Sequence, residues 1–150
     1  MADVHDAGTR SRNMAAIKGR NTKPELLIRK ALHAAGFRYR LHAKDLAGKP
    51  DMVFPRYHAV VFVHGCFWHR HDCHLFKWPE ARNDFWRVKI AGNVARDEAA
   101  AQKLEQAGWR IATIWECALK GRTKLDFPET MQRLADWLRS DDREIEIRGG

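Results

Sequence analysis

Cysteine is scarce in this 150-residue chain: there are three, and three cannot all pair with one another. A disulfide framework is therefore excluded, and in a reducing compartment the thiols stay free or bind metal. Long apolar runs are missing too, so no segment reads as a membrane span. The opening stretch Met1 to Arg10 is polar and gives no sign of a signal peptide, which points to a cytoplasmic protein. There is no internal repeat and no low-complexity tract. Acidic residues are outnumbered, 19 Asp and Glu against 27 Lys and Arg, for a net charge of +8. That excess favours a polyanionic partner, nucleic acid first, over a merely solvated basic surface.

What the chain does have is concentrated between His64 and Cys73: His-Gly-Cys-Phe-Trp-His-Arg-His-Asp-Cys. Three histidines, two cysteines and two large aromatics in ten residues suit neither an ordinary core nor an ordinary loop. Cysteine and histidine at short spacing are the ligands of tetrahedral zinc. Cys66, His71 and Cys73 lie within eight residues, and Cys117 ends a strand expected to neighbour the Val60–Val63 strand. Three thiolates and one imidazole make a closed structural zinc site; by spacing, His69 and His74 are rival ligands. Adjacent Phe67 and Trp68 are the residue types of a base-stacking wedge.

The remainder reads as a scaffold. Residues 1–20, with Arg10, Arg12, Lys18 and Arg20, form a basic arm able to order over a phosphate backbone. Thr22-Lys23-Pro24-Glu25 is a helix start with a capping box, and Leu27, Ala31, Ala34 and Ala35 form the stripe of that helix up to Gly36. Strands are expected over Phe37–Leu41, Asp51–Phe54 and Ala59–Val63, the last buried on both faces. Asn83 caps a long helix to about Ala107; Asp97 falls on its apolar stripe and needs a partner there. Trp86, Lys89 and Asn93 share another face. Arg110–Trp115 is a buried strand, and Pro128 opens a last helix through Leu138. From Ser140 onward the charged, glycine-ended chain is expected to fray. The organisation is thus an arm (1–20), one domain (21–140) and a frayed tail (141–150). The class is α/β, a small mixed β-sheet flanked by helices.

Asp51, after Pro50 and at a strand start, is placed either as a turn residue or as the carboxylate of a magnesium site, which needs hard oxygen ligands. Here the chain resembles a known family. Asp51, the strand running into His64-Gly65-Cys66-Phe67-Trp68-His69, then His71, Cys73 and Trp115-Glu116-Cys117 are similar to the very short patch repair endonucleases. The opening residues and Ser11-Arg12-Asn13-Met14 are also similar. The resemblance implies a fold like that of the PD-(D/E)xK restriction endonucleases with a structural zinc site. It implies Mg2+-dependent nicking of one DNA strand beside a T:G mismatch left by deamination of 5-methylcytosine. Phe62-Val63-His64 stands where the superfamily carries Glu-x-Lys, a departure that moves base chemistry to histidine.

By the same resemblance Asp51 and the carbonyl of Val63 hold Mg2+, His69 is the general base, and His64 assists. Glu25 and Asp97 orient the histidines or the metal's waters. Cys66, His71, Cys73 and Cys117 hold Zn2+. Phe67, Trp68 and Trp86 form the wedge entering from the major groove, Met14 presses from the minor groove, and Lys89 and Asn93 face base edges. The implied partner is double-stranded DNA with a T:G mismatch, in a bacterial nucleoid, with mismatch-repair proteins as further candidates. A monomer is expected, since an asymmetric mismatch needs no two-fold reader. The rival classes are a zinc-stabilised DNA-binding module without catalysis and a nuclease that cuts both strands of matched DNA.

Overall fold

The computed structural model describes residues 22–150; Met14 and the basic arm lie outside them. Helix α1 spans Lys23–Ala34, and Thr22 caps it by accepting the Glu25 N–H on its hydroxyl. Its inner face is Glu25, Ile28 and Leu32, at i, i+3 and i+7, while Leu27, Ala34 and Ala35 of the expected stripe are exposed. The alanine pattern misleads because the buried face includes an acid.

The strand expected over Phe37–Leu41 shrinks to β1, Arg40–Leu41. The preceding residues close the helix instead: the Gly36 N–H donates to His33 O and the Phe37 N–H to Leu32 O. Strands β2 (Met52–Phe54) and β3 (Ala59–His64) follow as read, and β3 is buried from Ala59 through Phe62. The long helix α2 spans Asn83–Gln106. Its cap is Arg82 in the left-handed region and not Asn83, whose amide donates to Pro79 O outside the helix. Strand β4 is Arg110–Trp115, and α3 spans Phe127–Arg139 with Asp126 as its cap.

The expectation that the chain frays after Ser140 is overturned. Glu144–Ile147 forms β5, which pairs in parallel with β4. The Glu-Ile-Glu-Ile alternation puts Ile145 and Ile147 on the core side, and Ile147 is fully buried. A side chain so buried contributes about 1.5–3 kcal/mol, enough to hold a short edge strand.

The five strands stand in the order β1-β2-β3-β4-β5, antiparallel up to β3 and parallel from β3 to β5. Alternation divides the core. Met52, Phe54, Val61, Ala112, Ile114 and Ile147 meet α1 and α3 on one face. Val53, Val60, Phe62 and Ile111 meet Leu104 of α2 on the other. The β1–β2 loop lies close over this second face. Gly48 has φ +73, and a β-carbon there would stand 2.7 Å from Ala100 Cβ, so only glycine fits. No helix among the described residues is long and apolar enough to cross a membrane.

Candidate active site

Asp51 immediately precedes β2, and the antiparallel register of β2 with β3 sets it beside the end of β3. Its carboxylate accepts the Val63 N–H at 2.6 Å. Burial pushes the Asp51 acid well above the usual carboxylate range; the Val63 N–H pulls it back in part, and the Glu25 carboxylate pushes it up further. Glu25, 1% exposed, reaches this point because Thr22 and Pro24 start α1 so that its first turn faces inward. Arg29 Nη1 and His42 Nε2 both lie 2.9 Å from Glu25 Oε2. Two carboxylates this close and this buried bring hard oxygen donors together at one point, the ligand type that Mg2+ takes.

His64 is the last residue of β3, on the α2 side of the sheet with Val60 and Phe62. Its ring stacks on His69 at 3.8 Å and 5°. Burial lowers the His64 pKa to about 3, with the neighbouring His69 adding to the effect, so His64 is neutral at ordinary pH. Its Nδ1 is buried and has no hydrogen-bond partner among the described residues. His69 Nδ1 lies 2.5 Å from Asp97 Oδ2, which is the partner that Asp97 required. A carboxylate on Nδ1 fixes the N–H there and leaves Nε2 as the basic nitrogen. Asp51, Val63, His64, His69 and Asp97 share one cleft of about 400 Å³, whose walls also include His42, Lys44 and Lys49.

Two residues beyond His64 and His69, the side chains turn to a different centre. The Cys66, His71, Cys73 and Cys117 ligand atoms all lie within 4.8 Å of one another. His71 Nδ1 is 3.5 Å from both Cys66 Sγ and Cys117 Sγ. β3 and β4 run parallel, so Cys66 and Cys117 leave the same end of the sheet. The loop between is tied by the His71 N–H to Cys66 O, and Glu116 accepts the Cys66 N–H at 3.2 Å. Burial pushes the Cys66 thiol far up, and the sulfurs of Cys73 and Cys117 push it further. A dication would favour the thiolate form that burial disfavours at Cys66, and three sulfurs with one imidazole at this spacing fit tetrahedral zinc. Neither rival ligand belongs: His69 is taken by Asp97, and His74 packs against Gly121.

Phe67, Trp68 and Trp86 form a half-buried aromatic group with centroids 5.3–5.8 Å apart. Lys89 is half-buried one turn on from Trp86. Asn93 is already engaged: its amide donates to Trp68 O at 3.0 Å, and Arg96 donates to its Oδ1. It braces the aromatic loop.

The sequence reading missed His42, Lys44, Lys49 and Glu116. For His42 a signal existed. Leu41 pairs with Met52, so His42 and Asp51 make the next rung of the hairpin, and the His42 N–H donates to Asp51 O at 3.1 Å. Lys49, at φ +49 between Gly48 and Pro50, carried none.

An α/β domain that holds an acid–histidine cleft beside a three-cysteine, one-histidine cluster is the class this fold and site define. Comparison with known proteins sharpens it. A family described as DNA mismatch endonuclease Vsr matches residues 2–75. DNA mismatch endonuclease Vsr of Escherichia coli (strain K12) is 44% identical over 147 residues, 98% of this chain and 94% of that protein. The type II nicking enzyme V.XorIIP of Xanthomonas oryzae pv. oryzae is 48% identical over 106 residues, 71% of this chain and 78% of that protein. The type II nicking enzyme V.NmeAIP of Neisseria meningitidis is 43% identical over 122 residues, 81% and 87% of the two chains. The chain belongs to the Vsr family of DNA mismatch endonucleases.

Proposed function

We propose that this protein nicks one strand of duplex DNA beside a T:G mismatch, acting as a monomer and initiating very short patch repair. The observation that carries the reading is the His69–Asp97 pair, opening on the same cleft as Asp51 and Val63. His69 Nε2 takes a proton from the attacking water while Asp97 holds the Nδ1–H and steadies the charged imidazole. His64, kept neutral by burial, packs the His69 ring in one plane and offers a polar edge to the phosphate or the leaving group. Asp51 and the Val63 carbonyl would hold Mg2+, and Glu25 would orient the groups around it. When bound, the ion stabilises charge on the phosphate and the departing 3′ oxygen.

Zinc, held by Cys66, His71, Cys73 and Cys117, fixes the loop that carries His69. Phe67, Trp68 and Trp86 are the wedge. Unstacking a base step costs a few kcal/mol, less at a wobble pair already weakened. Stacking on an aromatic returns about 1–3 kcal/mol per base, so the mismatch is the cheapest place to enter. Lys89 faces the same groove, and Asn93 serves it through the Trp68 carbonyl that it holds. The net charge of +8 supplies the non-specific phosphate attraction.

The test is Mg2+-dependent cleavage of a duplex with one T:G pair and of its matched counterpart, by wild type and Asp51→Asn. Wild type nicks only one strand of the mismatched duplex. The variant binds it and loses roughly 10³-fold or more in nicking, since a cation's charge stabilisation is worth several kcal/mol. Full nicking by Asp51→Asn would remove the metal site. Absence of any nicking by wild type would leave a zinc-stabilised binding module.

A further inference from the structure

We infer that His42 is a positioning residue for the cation site, holding Glu25 in the orientation that site requires. The inference rests on the reading of Asp51 as the carboxylate that holds the cation. His42 stands where the hairpin of β1 and β2 opens, and it is attached in two directions. Its backbone N–H donates to Asp51 O at 3.1 Å, and its ring Nε2 lies 2.9 Å from Glu25 Oε2. One residue thus links the acid that begins β2 to the acid that begins α1, two elements far apart in the chain. The Glu25, His42 and Asp51 donor atoms lie within 4.8 Å of one another.

The backbone conformation argues that the ring is placed with purpose. His42 has φ +47, in the left-handed region that a β-carbon disfavours. The turn aims the imidazole inward at a carboxylate that is 1% exposed, while one edge of the ring stays on the wall of the cleft. Arg29 approaches the same oxygen from one helical turn further along α1. The two donors bracket Oε2 from α1 and from the loop, which fixes the carboxylate plane relative to Asp51. Groups that orient a metal's ligands typically change metal affinity or activity by 10–100-fold when removed.

The test uses two substitutions, one too short to reach Glu25 and one long enough. His42→Asn keeps a residue at home in that region but is too short to reach Glu25. His42→Gln carries an amide N–H close to the place of Nε2. Mn2+ binding to each zinc-loaded protein is followed by the electron paramagnetic resonance signal of free Mn2+. The Mg2+ concentration for half-maximal nicking is measured in parallel, with zinc content and melting temperature as controls for folding. His42→Asn should weaken Mn2+ binding roughly 10–100-fold and raise the Mg2+ requirement by the same factor. His42→Gln should recover most of both. Wild-type Mn2+ affinity in His42→Asn, or no recovery in His42→Gln, overturns the inference. Asp51→Asn is run alongside. If it loses Mn2+ binding while His42→Asn does not, the role of His42 fails alone; if it too binds as wild type does, the cation site itself fails.

Discussion

His64 and His69 alternate in sequence with Cys66 and His71, yet the two pairs serve unlike centres. The sulfur centre is closed: Cys66, Cys117 and His71 are buried. The oxygen-rich centre opens on a cleft of about 400 Å³, and its His69 and Asp97 are partly exposed. Trp115 stands between them, stacked on His71 at 4.1 Å and edge-on to His64 at 5.2 Å. The difference teaches a division of labour. A centre with four protein ligands has no room for substrate and can only hold shape, whereas one with few protein ligands and open space can react. On the proposed reading, alternating the two along one loop makes the rigid centre the frame of the reactive one.

The strongest way to break that division is through the closed centre. Cys117→Ser replaces a sulfur of that centre with a hydroxyl just past the end of β4, where Cys117 Sγ also accepts the Gly149 N–H. Structural zinc binding is folding free energy, on the order of 10 kcal/mol in zinc-finger peptides. Zinc content should fall well below one per chain and the melting temperature should drop by tens of degrees, with nicking lost as a consequence. A zinc-replete Cys117→Ser protein would show that the other three ligands suffice.

The open centre is broken without touching the closed one. His69→Ala should lower the cleavage step by roughly 10²–10⁴-fold if His69 is the general base, with zinc content and mismatch affinity unchanged. Asp97→Asn should fall in the same direction, because an amide fixes the wrong tautomer of His69. Loss of zinc from His69→Ala would mean that the two histidine roles are exchanged.

How legible this was depended on whether residues speak locally. Cys66, His71 and Cys73 are local, and Cys117 needed only the expectation that β3 and β4 are neighbours, which holds. Asp97 was legible as a misfit on an apolar stripe, though the stripe could not name His69 as its partner. Glu25 shows the opposite case: a helix-start reading accounted for it fully, and its second role arises only where α1 packs against the sheet. His42 has no motif, and its place follows from hairpin register. The β5 strand was readable in Glu-Ile-Glu-Ile, but charge and terminal glycines masked a period of two.

A smaller effect separates recognition from chemistry at the edge of the open centre. Trp68→Ala should weaken binding to the T:G duplex about 5- to 150-fold, the equivalent of about 1–3 kcal/mol of stacking. Binding to matched DNA should change far less, and the salt slope should not change, since no phosphate contact is lost. Titrations of both duplexes in an Asp51→Asn background at two salt concentrations check this. Equal losses on both would make Trp68 a packing residue for Phe67 and Trp86.

The smallest effect concerns His64 and is read in stability rather than activity. Its pKa is about 3 in the folded protein against 6.5 for an unperturbed imidazole. The folded state therefore refuses a proton that the unfolded chain accepts. The sign follows: stability from His64 is fully present above pH 6.5, is lost as pH falls from 6.5 towards 3, and is lost no further below that. By pH 5 the loss is on the order of 1–2 kcal/mol, taking about 1.4 kcal/mol per pH step below the unfolded pKa. Acid also strips protons' competitors from the sulfur centre, because His71 and the thiolates must stay deprotonated to hold zinc. Wild type alone cannot separate the two causes. His64→Gln can, since the zinc contribution is common to both proteins and cancels in their difference. Urea unfolding of the pair between pH 7.5 and 5 should show a shallower acid loss in the variant. Parallel curves would place the whole acid sensitivity in the closed centre and none in the open one.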